Sequence, residues 1–517
     1  MKVVLHFQSA REAKRTLRWL PETSALALRG MLAVVPWDTV DATQETTPSD
    51  EESMVPEAMS KCSTLANCCL FFERLMLASQ LRKQVDRDPM NLIASPDYPA
   101  QLAAQGELHV VMGSREFLKL VLVHLTEQPL YWLEGSPVAL INALIAQSAR
   151  AARNRADSVS VLLYRKQKST SEWHLTTLGA VWVRRRASQT AESLLKVIDL
   201  SMVRLAQTST SEFSGNEPHV DEESDTQSVT TTADVMKYWM QGAVHLASRE
   251  IRRLLRHRES RVVAVEDVGL TNGRRCELRN GILTADPFLW SHDGSLFALV
   301  EMITRPGGRG SIAVFSKKHG DWAYLGTALE EPHHLSFPWI FEFAGDLFMV
   351  PESTACGDVT LYRCTDWPLK WERLPPLLSG ARSADPLIFQ WGDSWWMFSN
   401  PSSTSRGEFS SLLNVHFADD PVRGPWQAHP CNPVMANPQG ARNAGLLVSD
   451  GRVIRFGQSQ KFGKYGASVS AFEITRLTRT EFSQSHIPHF TDQLSRQHDG
   501  VHHVSIIGDH VAFDYLD

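Results

Sequence analysis

Two patterns of apolar and polar positions divide the chain. Over residues 1–206, short apolar runs alternate with stretches of helical periodicity: KVVLHF (2–7), MLAVVP (31–36) and LHVVMG (108–113) read as strands, and 65–86 and REFLKLVLVHL (115–125) as helices. SVSVLLYRK (158–166) and LGAVWVRRR (178–186) predict two further strands, and SQTAESLLKVIDLSMVRLA (188–206) a capped helix. Such alternation predicts an α/β domain built on a mostly parallel sheet. Residues 207–232 hold few large apolar side chains and many Ser, Thr, Asp and Glu, too little to offset the cost of ordering, and read as a flexible linker. A shorter tract of the same kind, 41–53, reads as a loop inside the first domain.

From 233 to 517 the pattern changes to apolar runs of four to seven residues separated by Gly, Asp and Pro turns, an all-β signature. One unit recurs. Pro287, Pro338, Pro386, Ala444 and His502 each open an apolar run, a Gly/Asp turn and a second apolar run, as in PFLWSHDGSLFALVE, PWIFEFAGDLFMVPE and PLIFQWGDSWWMFSN. Strand pairs lie between these hairpins, at 310–326, 357–374 and 467–482. Two inner and two outer strands make a blade, and five blades around an axis predict a five-bladed β-propeller. The fifth hairpin is followed by no outer strands, so residues 260–283 are expected to supply them and close the ring. The fold class is thus α/β followed by all-β, in three segments: 1–206, 207–232 and 233–517.

Composition narrows the partners. At 517 residues two domains are the default, and 43% hydrophobic with 21% charged residues is ordinary for a globular protein. A net charge of −6 argues against a nucleic-acid partner; the short basic clusters at 182–189 and 249–261 read as solvated faces. Seven cysteines without a C-x-x-C pair suggest neither a disulfide framework nor a zinc site, and a reducing compartment fits. No run of 18 apolar residues and no signal-peptide pattern occurs, so no membrane span and a cytoplasmic location are expected. No metal and no cofactor is implied.

The repeat also places chemistry. In an antiparallel hairpin the start of the first strand and the end of the second share one sheet edge. In a propeller these edges surround one mouth of the axial channel. The residues before the anchors include Asp286, Asp385 and Asn443, and those fourteen after them include Glu301, Glu352, Asn400 and Gln458. His334, Arg442, His502 and His503 fall near the same mouth. Crowded carboxylates raise one another's pKa values, while Arg442 and the histidines offset their charge. Such a funnel suits acid/base work on a glycosidic bond or hydrogen bonding to many hydroxyls. The alternative is structural: an Asp before Pro also serves to bond backbone amides. The tryptophans at 290, 322, 339, 367, 371, 391, 395, 396 and 426 are expected mainly to fill the wedges between blades.

The phrases ADPFLW, HHLSFPWIFEFAGDLFMVPES, GDVTLYRCTDWPLKW, GARNAG, FGQSQKFGKYG and GVHHVSIIGDHVAFDYLD resemble the propeller domain at the N-terminus of plant glucosamine inositolphosphorylceramide transferases and their bacterial relatives. The resemblance covers about residues 280–517 and implies a carbohydrate-processing protein. Nothing in the chain resembles the glycosyltransferase module of those enzymes, so a partner transferase is one expectation. More distantly, the layout resembles arabinanase- and invertase-type glycoside hydrolases with three funnel carboxylates. That resemblance implies Asp286 as base or nucleophile, Glu352 as acid and Asp385 as the group that tunes it. The order Asp, Glu, Asp departs from the usual Asp, Asp, Glu. Residues 1–206 resemble a degenerate, Rossmann-type formyltransferase domain, but YWLEGSPVAL (131–140) lacks the expected histidine and STSEWHLTTLG (169–179) lacks Asp-x-Gly, implying loss of folate-dependent transfer. The sequence therefore points to a sugar or sugar conjugate as ligand, processed at the funnel or bound there without catalysis.

Overall fold

The computed structural model describes residues 2–7, 32–36, 107–113, 130–134, 137–166, 173–207, 261–267, 275–318, 321–491 and 497–516, together with residues 13, 236–238, 240, 241, 244 and 494. They fall into two compact units, Met1–Ala247 with Ser403–Ser405, and Ser248–Ser402 with Arg406–Asp517.

The first unit is a six-stranded mixed sheet. Strands β1 (Lys2–Phe7), β2 (Leu32–Pro36), β3 (Glu107–Gly113) and β4 (Leu130–Glu134) pair in parallel, and β5 (Ser158–Lys166) and β6 (Trp173–Trp182) add antiparallel, giving the order β2-β1-β3-β4-β5-β6. Strand β6 begins before the run expected at 178–186. It takes in alternating WHLTTL and ends at Trp182, ahead of the arginine cluster. Helices α1 (Pro137–Arg153) and α2 (Ala187–Gln207) bury the faces their periodicity marks, including Ile145 and Ala149 on α1 and Ala191, Leu194 and Ile198 on α2. The helices expected at 65–86 and 115–125, the loop at 41–53 and the linker after Gln207 lie outside the described residues. Kinship with formyltransferases stays an expectation, since much of what would carry it falls there.

The second unit is a ring of five sheets. Blade 1 holds β9 (Leu283–His292), β10 (Ser295–Ile303), β11 (Ser311–Lys318) and β12 (Asp321–Leu329). Blade 2 holds β13 (Ser336–Phe343), β14 (Asp346–Glu352), β15 (Tyr362–Asp366) and β16 (Lys370–Arg373). Blade 3 holds β17 (Ser383–Trp391), β18 (Ser394–Pro401), β19 (Leu412–Ala418) and β20 (Gln427–Ala428), with β21 (Met435–Ala436) also pairing β19. Blade 4 holds β22 (Gln439–Ser449), β23 (Arg452–Lys461), β24 (Lys464–Leu477) and β25 (Phe482–Ile487). The strand pair expected within 467–482 is one long strand, β24, and its partner begins only at Phe482, because the turn falls at the polar RLTRTE stretch. Inner strands meet in the cyclic order β9, β13, β17, β22, β26 and back to β9.

Blade 5 closes the ring as the sequence predicts. Its inner pair, β26 (Val504–Ile507) and β27 (His510–Leu516), comes from the last residues, and its outer pair, β7 (Arg261–Asp267) and β8 (Arg275–Leu278), from the first residues of the unit. Seven register pairs join β27 to β7, from His510 opposite Asp267 to Leu516 opposite Arg261. Each blade is apolar on both faces, so neighbouring blades bury a wedge between them. All nine tryptophans expected there pack into these clusters. An aromatic side chain removes enough surface from water to contribute on the order of several kcal/mol.

Candidate functional site

Three hairpins carry the same irregularity at the same place. Between Ala285 and Phe288, β9 has two residues where β10 has one; β13 repeats this at Phe337–Pro338 and β17 at Asp385–Pro386. Each is a β-bulge whose first residue has positive φ: +49° at Asp286, +49° at Phe337 and +46° at Asp385. Proline suits the second position, since it has no N–H to offer the ladder and an unpaired bulge residue needs none. A non-glycine residue at positive φ is strained, and such strain persists only where the surroundings over-determine it. The bulges turn two acids off the pleat and into the channel.

The register puts the hairpin ends beside them. Glu301 pairs opposite Ala285, Glu352 opposite Ser336, Asn400 opposite Ala384 and Gln458 opposite Arg442. Arg442 donates from Nε to Asp385 Oδ2 at 2.6 Å and from an Nη to Asp385 Oδ1 and Glu352 Oε2, both at 3.2 Å, so one fork clamps acids from two blades. Its guanidinium also lies over the Tyr465 ring, 5.0 Å from the centroid. Thr354 donates to Glu352 Oε1 at 3.0 Å. Gly310 N–H donates to His334 Nδ1 at 2.9 Å, which leaves the ring proton on Nε2, 3.3 Å from Glu301 Oε1.

A second cluster adjoins the first. Asp514 is fully buried and accepts backbone N–H bonds from Asp286 at 3.0 Å and from His502 and His503 at 3.1 Å. His502 Nδ1 lies 2.6 Å from Asp514 Oδ2, and its Nε2 lies 3.8 Å from Asp286 Oδ1. Arg261 stands 3.8 Å from Asp514 and donates to the Gly500 carbonyl. Beneath the acids is an aromatic floor. His503 meets Phe288 and Phe337 edge-on, with centroids 4.4 and 5.1 Å away, and neither ring nitrogen of His503 has a hydrogen-bond partner among the described residues.

Burial and crowding shift the acids in opposite directions. Burial, then Glu301, Asp514 and Glu352, raises Asp286 well above the usual carboxylate range. Burial and Glu352 push Glu301 up to about 8. Asp385 is raised by burial and by Glu352 against the pull of Arg442. Burial also works to raise Glu352, but Arg442 and the hydrogen bonds from Asp385 and Thr354 outweigh it, so Glu352 stays below its ordinary value. Burial works to raise Asp514, but His502 and Arg261 outweigh it and hold its carboxyl far below the usual range. Burial lowers His502, and pushes His503 down to about 3.

Of the residues singled out from sequence, Asp286, Glu301, His334, Glu352, Asp385, Arg442 and His502 converge on this well. The other amides are bound into the scaffold. Asn400 donates to the Leu412 and Ala441 carbonyls and accepts from Asn443 N–H, Asn443 donates to the Asp385 carbonyl, and Gln458 to the Asn443 carbonyl. His503 lies in the floor. Asp514, Arg261, Thr354 and Tyr465 were not foreseen. An Asp inside the apolar strand HVAFDYL was the available signal, since a buried carboxylate requires donors. Asp286, His502 and Asp514 bring ligand-type atoms within 4.8 Å of one another. A cation there would have to displace the N–H donors that both Asp514 oxygens already accept.

Residues 276–505 match the family model described as glucosamine inositolphosphorylceramide transferase 1, N-terminal. The proteins of that name from Oryza sativa subsp. indica and Arabidopsis thaliana are 33% and 31% identical over 205 and 219 residues, 39% and 41% of this chain. The chain spans 27% and 28% of the length of these relatives. Among solved structures, the Cellvibrio cellulosa alpha-L-arabinanase complexed with arabinohexaose is 14% identical, with 40% of this chain and 78% of that chain covered and a TM-score of 0.31. A family 117 glycoside hydrolase from Zobellia galactanivorans is also 14% identical, over 39% of this chain and 68% of that chain, at a TM-score of 0.31. Likeness at this level assigns neither a reaction nor a residue role.

Proposed function

We propose that the propeller well receives a sugar or sugar conjugate and acts on its glycosidic linkage, by hydrolysis or transfer. The observation that supports this most is the contrast between two acids of one well: Glu352 is clamped by Arg442 at 3.2 Å, which holds it below its ordinary pKa, while Asp286 is buried beside other carboxylates, which raises it well above. Glycosidic chemistry needs this pair, an acid to protonate the leaving oxygen and a carboxylate to act as base or nucleophile. Asp286 is then the acid and Glu352 the carboxylate, with Asp385 and Arg442 tuning Glu352. These roles for Asp286 and Glu352 are the reverse of those the resemblance to glycoside hydrolases implies. The relatives' name suggests the ligand: a conjugate of glucosamine with an inositol phosphate headgroup.

Full-length protein assayed against glucosaminyl-inositol phosphate and a panel of nitrophenyl glycosides is expected to release sugar. Asp286→Asn and Glu352→Gln should each lower kcat by about 10²-fold or more while leaving KM close to wild type. Equal turnover in the variants would remove the assignment. A second reading has its own support. Arg442 occupies oxygens of both Asp385 and Glu352, and three of the hairpin amides are committed to backbone. A glycan-binding module working beside a separate transferase would bind the conjugate and turn over nothing in that assay.

A further inference from the structure

We propose that His502, held by Asp514, returns the proton to Asp286 after each turnover. The inference rests on Asp286 acting as the acid of the well. It explains an arrangement that acid/base work by Asp286 and Glu352 alone leaves unused.

Asp514 performs two tasks from one strand. Its Oδ2 accepts the backbone N–H of Asp286 at 3.0 Å, which fixes the bulge that aims the Asp286 side chain. The same carboxylate accepts His502 Nδ1, which fixes the ring tautomer: the proton sits on Nδ1, and the bare Nε2 lies 3.8 Å from Asp286 Oδ1. That separation is too long for a hydrogen bond and closes with a small shift, as catalytic contacts tighten when a site fills. His502 is buried, with the Tyr465 ring edge-on at 5.6 Å. Elsewhere around Asp286 stand Glu301 on β10, Glu352 on β14, Asp385 on β17 and Arg442 on β22, while β13 presents uncharged Phe337. Arg261 on β7 opposes a charge on His502 at rest.

The proton count closes. At rest Asp286 is a neutral acid and His502 a neutral imidazole. When Asp286 gives its proton to the leaving oxygen, His502 lies between two carboxylates, and its affinity for a proton rises. Nε2 then takes a proton from water admitted to the well, and the proton passes to Asp286 Oδ1. Glu352, which took a proton from the attacking water as base, releases it to solvent, so the acid, the carboxylate and the neutral ring are all restored with no net proton consumed. His502 and Asp514 are positioning residues in this scheme, acting through Asp286.

Nitrogen NMR of full-length protein labelled at histidine tests this without any substrate. Wild-type His502 should show a protonated Nδ1 and a bare Nε2 at neutral pH, with Nε2 shifting as Asp286 ionises on raising the pH. Asp286→Asn should abolish that shift. A protonated Nε2 in the wild type, or the same shift in Asp286→Asn, overturns the proposal. In the glycoside assay, His502→Gln should lower kcat about tenfold or more, most steeply at high pH, with KM unchanged. A wild type that shows the tautomer and shift but turns over no conjugate removes the glycosidic reading and leaves the Asp286–His502 coupling standing.

Discussion

Glu301 shows how much one buried carboxyl can report. Its pKa of about 8 means that the folded state keeps a proton which the unfolded chain releases near 4.5. Stability on this account is fully present below about 4.5 and is lost as pH rises to about 8, because the native state then binds more protons than the unfolded one. Glu301→Gln should remove that part of the decline. Melting temperatures of the variant and wild type should agree near pH 4.5 and diverge by pH 8.5, with the variant higher by the equivalent of a few kcal/mol. A constant difference across the range would contradict the shift. Arg442 makes the complementary case. Arg442→Gln strands Asp385 and Glu352 without their cation, and removing one partner of a buried ion pair costs about 3–5 kcal/mol, to be read by urea unfolding at neutral pH. Single residues were legible in sequence where the repeat marked them, as with Asp286, Glu301, Glu352 and Asp385. Asn400 and Gln458 occupy the same repeat positions, but their spacing cannot tell an amide aimed at a ligand from one that stitches blades together.

The hairpin is the unit in which sequence and site meet. The Asp-Pro phrase that repeats at 286 and 385 is a bulge with a left-handed first residue, and Phe337–Pro338 is the same device carrying an aromatic ring into the floor. Blade 4 solves the problem differently, with two irregularities, between Gln439 and Arg442 and between Asn443 and Gly445, and with Gly445 at φ +124°. A Cβ on Gly445 would meet the Val504 carbonyl oxygen at 2.0 Å, across the seam to blade 5. Gly445→Ala should therefore cost more than about 3 kcal/mol in chemical denaturation, whereas Gly451→Ala, in an open turn, should cost far less. Hairpin period and turn chemistry revealed these elements. The extent of β24 and β25 was not legible, because a polar strand such as FSQSHI lacks alternation and is set by its neighbour.

At the scale of the ring, closure and site depend on the same strand. β27 pairs with β7 along its whole length and carries Asp514 into the well. Removing residues 510–517 should delete the strand that joins β26 to the outer pair of blade 5 and abolish cooperative unfolding followed by circular dichroism. Five blades and the closing strand could be read from the repeat, since periodicity survives where single motifs are weak. Which protonation each acid takes could not, because that depends on burial and on Arg442 arriving from another blade. The central claim is that this well holds a sugar conjugate. Calorimetric titration of full-length protein with glucosaminyl-inositol phosphate tests it most directly. Saturable binding is expected, weakened about tenfold or more by Tyr465→Ala, which removes the exposed ring beside Arg442. No binding heat, or equal affinity in wild type and Tyr465→Ala, would contradict it.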